Sequence, residues 1–109
     1  MRVGVPAEIK TEEYRVAITP IGVRELTARG HRVIIESNAG AGSSITNDEY
    51  VAVGAEIVDS AAEVFAHAEL VLKVKEPQLG EISMLRDSQI LFTFLHLAAY
   101  PALAHGLLE

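Results

Sequence analysis

The chain has 109 residues, half of them apolar and 22% charged, which is the composition of one ordinary globular domain with no room for a second core. Its net charge of -6 and its scattered basic residues argue against a phosphate-backbone partner, so we expect no nucleic-acid binding. The absence of cysteine excludes disulfides and thiolate metal sites. No long apolar run or cationic signal sequence is present, so we expect a cytoplasmic protein that does not enter membranes.

The first helix is predicted by its two ends. Thr19 is suited to the N-cap and Pro20 to the first helical position, while Gly30 is well placed at C′. Together they predict a helix over residues 20–29.

Two further helices are predicted by paired residues three positions apart. Thr46 with Glu49, and Ser60 with Glu63, match the capping box, in which a hydroxyl and a carboxylate reciprocally satisfy the first free amides of a helix. A short helix should begin after each of Thr46 and Ser60.

Apolar and β-branched runs between these helices predict five strands. They are residues 1–5, 32–36 and 56–58, a run ending at Lys75 and a run ending at His96. A further short helix containing Met84 and Leu85 should connect the last two. We also expect the polar residues 8–14 to form a loop over the sheet edge.

This alternation of strands and helices predicts the fold class. It implies right-handed βαβ crossovers, hence an α/β fold with three layers, a mostly parallel sheet, helices on both faces and a Rossmann-like topology. The glycine-containing loop at residues 38–44 does not match the dinucleotide fingerprint, because the third glycine would fall at Ile45. We therefore predict a plain turn there and no nucleotide site in this chain.

Two predicted strands end in a titratable residue, Lys75 in LVLKVKEP and His96 in ILFTFLHLAA. Ligands of open parallel sheets bind outside the carboxyl ends of the strands, so an ammonium and an imidazole there can face one pocket. Such a pair suits a small anionic or carbonyl substrate, with His96 exchanging protons. The alternatives are a solvated Lys75 and a hydrogen-bonded core His96; Lys73 is the more structural of the two lysines.

Arg15 is the third candidate. Its planar guanidinium is suited to bidentate capture of a carboxylate, and the alternative is a surface ion pair with the neighbouring acidic residues. Glu8 either orients Arg15 or is solvated. His31, His67 and His105 share no metal-ligand spacing, so we assign no metal site and give these histidines no function.

Three separated motifs carry a family resemblance that covers nearly the whole chain. GVPAEIKTEEYRVAITP with GVRELTARG, then LVLKVKEP, then ILFTFLHLAA, resemble in order the N-terminal part of the alanine dehydrogenases. The opening motif also resembles the related alpha subunit of the proton-translocating nicotinamide nucleotide transhydrogenase. The histidine in the last motif favours the dehydrogenase. The departures are Glu12, where the family often has Asn, and the Tyr100-Pro101 junction.

The resemblance implies an NAD-dependent oxidoreductase that interconverts L-alanine and pyruvate plus ammonia and serves L-alanine catabolism. It implies that Arg15 and Lys75 bind the substrate carboxylate, and that His96 hydrogen-bonds the carbonyl oxygen and acts as acid or base. It also implies a homo-oligomer, commonly a hexamer in the family. The alternatives are the soluble alpha-subunit domain of a transhydrogenase and a non-enzymatic carboxylate-binding domain.

The resemblance also bears on where the chain stops. The segment after Pro101 looks like a helix without a cap, so we interpret Glu109 as a truncation point. Residues 1–109 would then be the N-terminal part of the substrate-binding catalytic domain. The central domain that binds NAD would lie outside this chain, and the fragment alone would be inactive.

Overall fold

A computed structural model describes residues 1–9, 13–75 and 77–93, and in this part the strands form one sheet. The strands are β1 (Arg2–Val5), β2 (Arg32–Glu36), β3 (Glu56–Val58), β4 (Leu70–Leu72) and β5 (Ile90–Phe92). The helices are α1 (Pro20–Ala28), α2 (Asn47–Ala52), α3 (Ala61–His67) and α4 (Leu79–Ile82), with a 3₁₀ turn over Ala41–Ser43.

The order of the strands across the sheet is β3-β2-β1-β4-β5, and every neighbouring pair is parallel. The chain therefore builds outward from β1 to one side through β2 and β3, then crosses back to the other side through β4 and β5. This confirms the predicted three-layer α/β fold with Rossmann-like topology. The reversal brings the carboxyl ends of β1 and β4 next to each other.

One face of the sheet packs against α1. Val5 of β1 and Val33 and Ile35 of β2 form a buried cluster with Val23 of the helix. These strands carry uninterrupted apolar runs rather than alternating ones, because both faces of the sheet are covered. The main core therefore lies between the first two strands and the first helix.

The other face of the sheet packs against α3, and Gly4 makes this possible. A Cβ atom added at Gly4 would lie 2.6 Å from Ala68 Cβ and 2.7 Å from Val64 Cγ1. Successive residues of a strand point to opposite faces, so Gly4 faces α3 while Val5 faces α1. The glycine lets this helix approach the centre of the sheet closely.

The helix ends follow the predicted capping chemistry. Thr19 accepts a hydrogen bond from Gly22 N at 3.3 Å, and Gly30 follows α1 with a φ of +86°. Thr46 forms the complete predicted capping box at α2, whereas at α3 the structure gives one half of the predicted box, Ser60 Oγ accepting from Glu63 N at 3.3 Å. The predicted starts of all three helices are confirmed.

The strand predicted to end at Lys75 is shorter than expected. β4 ends at Leu72, because the amides of Val74 and Lys75 donate to a carboxylate rather than to a neighbouring strand. β5 ends at Phe92, and His96 and the segment after Pro101 lie outside the described residues.

The helix predicted to contain Met84 and Leu85 was also misplaced. α4 ends at Ile82, and Met84 and Leu85 follow it in a turn. Their amides donate three residues back, Met84 N to Glu81 O at 3.0 Å and Leu85 N to Ile82 O at 3.1 Å, which tightens the backbone out of the α-helix.

The close packing at Gly4 predicts the effect of adding one methyl group. Gly4→Ala should lower the free energy of unfolding by about 1–3 kcal/mol, because the new Cβ overpacks the contact with α3. Gly80→Ala is the control: its Cβ meets nothing within 4 Å on exposed α4, so it should stabilise by up to about 1 kcal/mol. Urea unfolding measures both; equal effects of the two variants would contradict this account.

Candidate functional site

A cavity of about 480 Å³ opens at the carboxyl edge of the sheet. One wall is the segment that leads into α1, beginning at Arg15, and the opposite wall is the chain leaving β4 at residues 72–74. Ser43 and Ile45, from the loop after β2, and Phe92, at the end of β5, complete it. The cavity therefore lies where parallel sheets bind small ligands.

Arg15 stands at the rim of this cavity and is paired with Glu13. Its Nε and Nη2 atoms donate to the two carboxylate oxygens of Glu13 at 3.0 and 2.9 Å. The arginine side chain is 65% exposed, whereas the glutamate side chain is 5% exposed. The ion pair expected as the alternative for Arg15 is present, and it presents the guanidinium to solvent.

Lys75 approaches the same carboxylate. Its Nζ atom lies 4.0 Å from Glu13 Oε1, and its side chain is 32% exposed. Hydrogen bonding from Arg15 is the main reason why the pKa of Glu13 is lowered to about 2, and the charge of Lys75 adds to the shift. The structure thus brings two of the three predicted site residues to one anionic group, while His96 lies outside the described part of the chain.

The loop over residues 38–44 holds the Arg15 segment in place. Ser43 Oγ donates to Tyr14 O at 3.0 Å, and a Cβ added at Gly42 would lie 2.5 Å from the same oxygen. Only glycine allows the two backbones to come this close. Tyr50, buried beneath, donates through its hydroxyl to Ile18 O at 2.8 Å.

This packing leaves the described residues without a fit for NAD. The space beside the loop glycine Gly40 is filled by other residues of the chain, since a Cβ added there would lie within 2.9 Å of Ile45 and Tyr50. The connection from β1 to α1, where the Rossmann fingerprint binds pyrophosphate, contains no glycine at residues 6–19.

A buried ion triad lies behind the cavity wall. Lys73 Nζ is 3.1 Å from Glu8 Oε1 and 3.0 Å from Glu81 Oε2, and all three side chains are 1% exposed. Two carboxylates therefore share one ammonium ion out of contact with water. The alternative that Glu8 is solvated was wrong, because its carboxylate is buried against Lys73; Lys73 is the structural member of the lysine pair, as expected.

The triad is connected to the backbone on both sides. Glu8 accepts from Val74 N at 3.0 Å and from Lys75 N at 3.2 Å, while Glu81 accepts from Gln78 N at 2.9 Å. Thr93 Oγ1, just after β5, donates to Lys75 O at 2.8 Å. The residue that carries the candidate ammonium is thus held at both its amide and its carbonyl.

Sequence reasoning did not foresee that Glu8 and Glu81 pair with Lys73, and it considered Glu13 only as a neighbour in a surface ion pair. The signal available for Glu13 was its position two residues before Arg15, which lets the two side chains form an ion pair. For Glu8 no local signal exists, because its partner Lys73 is 65 residues away. Glu81 shows only the spacing of a helix cap.

The remaining predictions concern metals and membranes. Within residues 1–9, 13–75 and 77–93 no group of three or more His, Cys, Asp or Glu side chains is placed to hold a metal ion. His31 Nδ1 lies 3.3 Å from the N-terminal ammonium, and His67 ends α3. Over the same ranges no helix has the length and apolarity that a membrane span requires.

Comparison with known proteins gives consistent matches along the whole chain. The family model described as "Alanine dehydrogenase/PNT, N-terminal domain" matches residues 4–109. The chain is 57% identical over 109 residues to alanine dehydrogenase of Mycobacterium tuberculosis (strain ATCC 25618 / H37Rv), covering 100% of this chain and 29% of that protein. It is 50% identical over 107 residues to alanine dehydrogenase of Bacillus subtilis (strain 168), covering 98% and 28%.

Two solved structures share the fold. An L-alanine dehydrogenase superposes with a TM-score of 0.95 at 45% identity, covering 98% of this chain and 29% of that one. A transhydrogenase from Sinorhizobium meliloti superposes with a TM-score of 0.90 at 29% identity, covering 97% and 31%. The chain spans less than a third of the length of each of these relatives.

The buried triad predicts that removing its cation costs much more stability than removing the cation of an exposed ion pair. Lys73→Met should lower the free energy of unfolding by about 3–5 kcal/mol, because two buried carboxylates lose the ammonium ion that they share. Arg32→Met is the control: it breaks an ion pair with Glu56 whose side chains are 61% and 50% exposed, and should cost at most about 1 kcal/mol. Chemical denaturation of both variants tests this; similar costs would contradict it.

The Glu13 pair predicts a pH dependence. Because the pKa of this carboxylate is depressed to about 2 in the folded state, its stabilising contribution is complete above the ordinary value of 4.5 and is lost as pH falls toward 2. Carboxyl-carbon NMR should give a midpoint near pH 2, and Arg15→Met should raise it toward 4.5. A midpoint unaffected by that substitution would show that Arg15 is not the cause.

Proposed function

Because the chain belongs to the alanine dehydrogenase/PNT N-terminal domain family, we propose that it is the N-terminal part of the catalytic, substrate-binding domain of an NAD-dependent L-alanine dehydrogenase. The proposed protein is an oxidoreductase that interconverts L-alanine and pyruvate plus ammonia. Its substrate side would be built largely by this chain. The 57% identity to a curated alanine dehydrogenase over the full chain supports this reading.

One observation carries the proposal. Arg15 and Lys75 both approach the Glu13 carboxylate, with nitrogen–oxygen distances of 2.9 and 4.0 Å, and Arg15 also lines the cavity. A pair of cations that converges on one carboxylate has the charge and spacing to bind the carboxylate of a 2-oxo acid or an amino acid.

The proposed roles follow from this arrangement. Arg15 would bind the substrate carboxylate through its planar guanidinium, and Lys75 would add a second positive charge. His96, which follows β5 in the chain, would hydrogen-bond the carbonyl oxygen of pyruvate and exchange a proton with it. Polarising that carbonyl stabilises the negative charge that develops on oxygen.

NAD is proposed as a cofactor of the longer protein only. Since the described residues do not fit a dinucleotide, the part that binds NAD would lie outside residues 1–109, and this chain alone would be inactive. We also propose that the longer protein is a cytoplasmic homo-oligomer that acts on a small-molecule substrate.

Two other functions are weaker. A soluble alpha-subunit domain of a transhydrogenase is supported by the second structural match, but that match has 29% identity against 45% for the alanine dehydrogenase. A non-enzymatic carboxylate-binding domain would use the same two cations without a histidine. Membrane-spanning sequence in the longer gene product would favour the transhydrogenase domain. A longer gene product without a nucleotide-binding domain would favour the non-enzymatic carboxylate-binding domain.

The test is NAD-dependent oxidation of L-alanine by the full-length protein. His96→Ala should lower kcat by about 100-fold or more, the usual contribution of a general acid or base. Arg15→Lys should chiefly raise the KM for pyruvate, because lysine cannot form the bidentate contact.

Arg32→Lys, an exposed substitution of the same kind far from the cavity, is the control and should leave both constants unchanged. Wild-type turnover retained by the His96 variant would rule out the proposed mechanism. No L-alanine oxidation by the wild-type protein would rule out the proposed function.

A further inference from the structure

Glu8 stands out as a buried carboxylate whose contacts all lead to the chain beside Lys75. Its two oxygens accept three hydrogen bonds, from Lys73 Nζ and from the amides of Val74 and Lys75, at 3.0–3.2 Å. We propose that Glu8 is a positioning residue for Lys75. This inference rests on the proposed function.

The topology explains how Glu8 reaches its partners. Glu8 follows β1 and Lys73 follows β4, and these strands are neighbours in the sheet with parallel direction. Their carboxyl ends therefore leave the sheet side by side. The glutamate spans the gap and takes the place of strand pairing for the half-buried amides of Val74 and Lys75.

Lys73 compensates the charge of this carboxylate and holds it in place. A carboxylate buried to 1% exposure is stable only with a compensating charge and hydrogen bonds, and Lys73 Nζ donates to it at 3.1 Å. An ionised carboxylate has two acceptor oxygens, which is what two backbone amides and an ammonium require. The direction of the Lys75 side chain is thus set by a charge that never contacts solvent.

Glu81 provides the matched comparison. It approaches the same ammonium at 3.0 Å and is equally buried, but its own backbone contact is the Gln78 amide in the first turn of α4. Its Oε2 atom makes no hydrogen bond of good geometry within the described residues, so its link to Lys73 is one of charge. Glu8 and Glu81 therefore share the ion triad but differ in their connection to Lys75.

The experiment compares Glu8→Gln with Glu81→Gln in the full-length enzyme. Either change leaves one carboxylate for Lys73, so both variants should fold, with the lower unfolding midpoint in Glu8→Gln. Glutamine at position 8 has one acceptor oxygen instead of two, so a backbone amide at 74 or 75 loses its partner. The KM for pyruvate should rise about tenfold in Glu8→Gln and stay within about twofold in Glu81→Gln, with kcat little changed in both.

A second measurement separates positioning from general damage. In a Lys75→Met background, Glu8→Gln should no longer raise the KM, because the residue that it positions is gone. If Glu8→Gln does not fold, Glu8→Asp replaces it, since aspartate keeps the charge but is one methylene too short to serve both Lys73 and the amides. Its KM should also rise several-fold.

The possible outcomes are distinct. Equal KM values for the Glu8 and Glu81 variants, or an undiminished Glu8 effect in the Lys75→Met background, would overturn the positioning role while leaving the dehydrogenase intact. A wild-type enzyme without L-alanine oxidation would instead overturn the proposed function.

Discussion

The carboxyl edge of this sheet depends on one buried ammonium ion. Lys73 leaves β4 with its charge out of water, and the cost of that desolvation is offset only because two carboxylates lie within 3.1 Å of it. Those carboxylates come from the exit of β1 and from α4. Three separate parts of the chain are therefore held together at one point, and the wall of the cavity is built on it.

The cluster of Glu13, Arg15 and Lys75 differs from the buried triad, because its two cations are partly exposed to solvent. Glu13 is itself nearly buried, but it holds Arg15 and Lys75 with their charges partly in solvent, at 65% and 32% exposure. Such a pair contributes little to folding, because water and salt screen it. Under the proposed function, this cluster keeps two cations close together, where a substrate carboxylate would meet both.

The fold combines a Rossmann-like topology with a first turn that lacks the glycines of a nucleotide site. A dinucleotide site needs glycines that leave room for pyrophosphate at the first turn after β1. In this chain that connection has no glycine and carries Glu8, Glu13 and Arg15. The space beside Gly40 and Gly42, after β2, is filled by Tyr14, Ile45 and Tyr50. The cavity that results is lined mostly by apolar residues, with the exposed Arg15 at its rim.

The sequence by itself determined the order of the elements and the starts of α1, α2 and α3, because caps and β-branched runs act over a few residues. It also singled out Arg15 and Lys75, which stand in motifs resembling a known family, but the roles of these two residues and of His96 remain predictions. It misjudged the end of β4 and the fate of Glu8, since both depend on contacts across 65 residues or more. Only the tertiary structure decided which carboxylate meets which cation, because burial and strand order set the distance between charges and no local pattern encodes it.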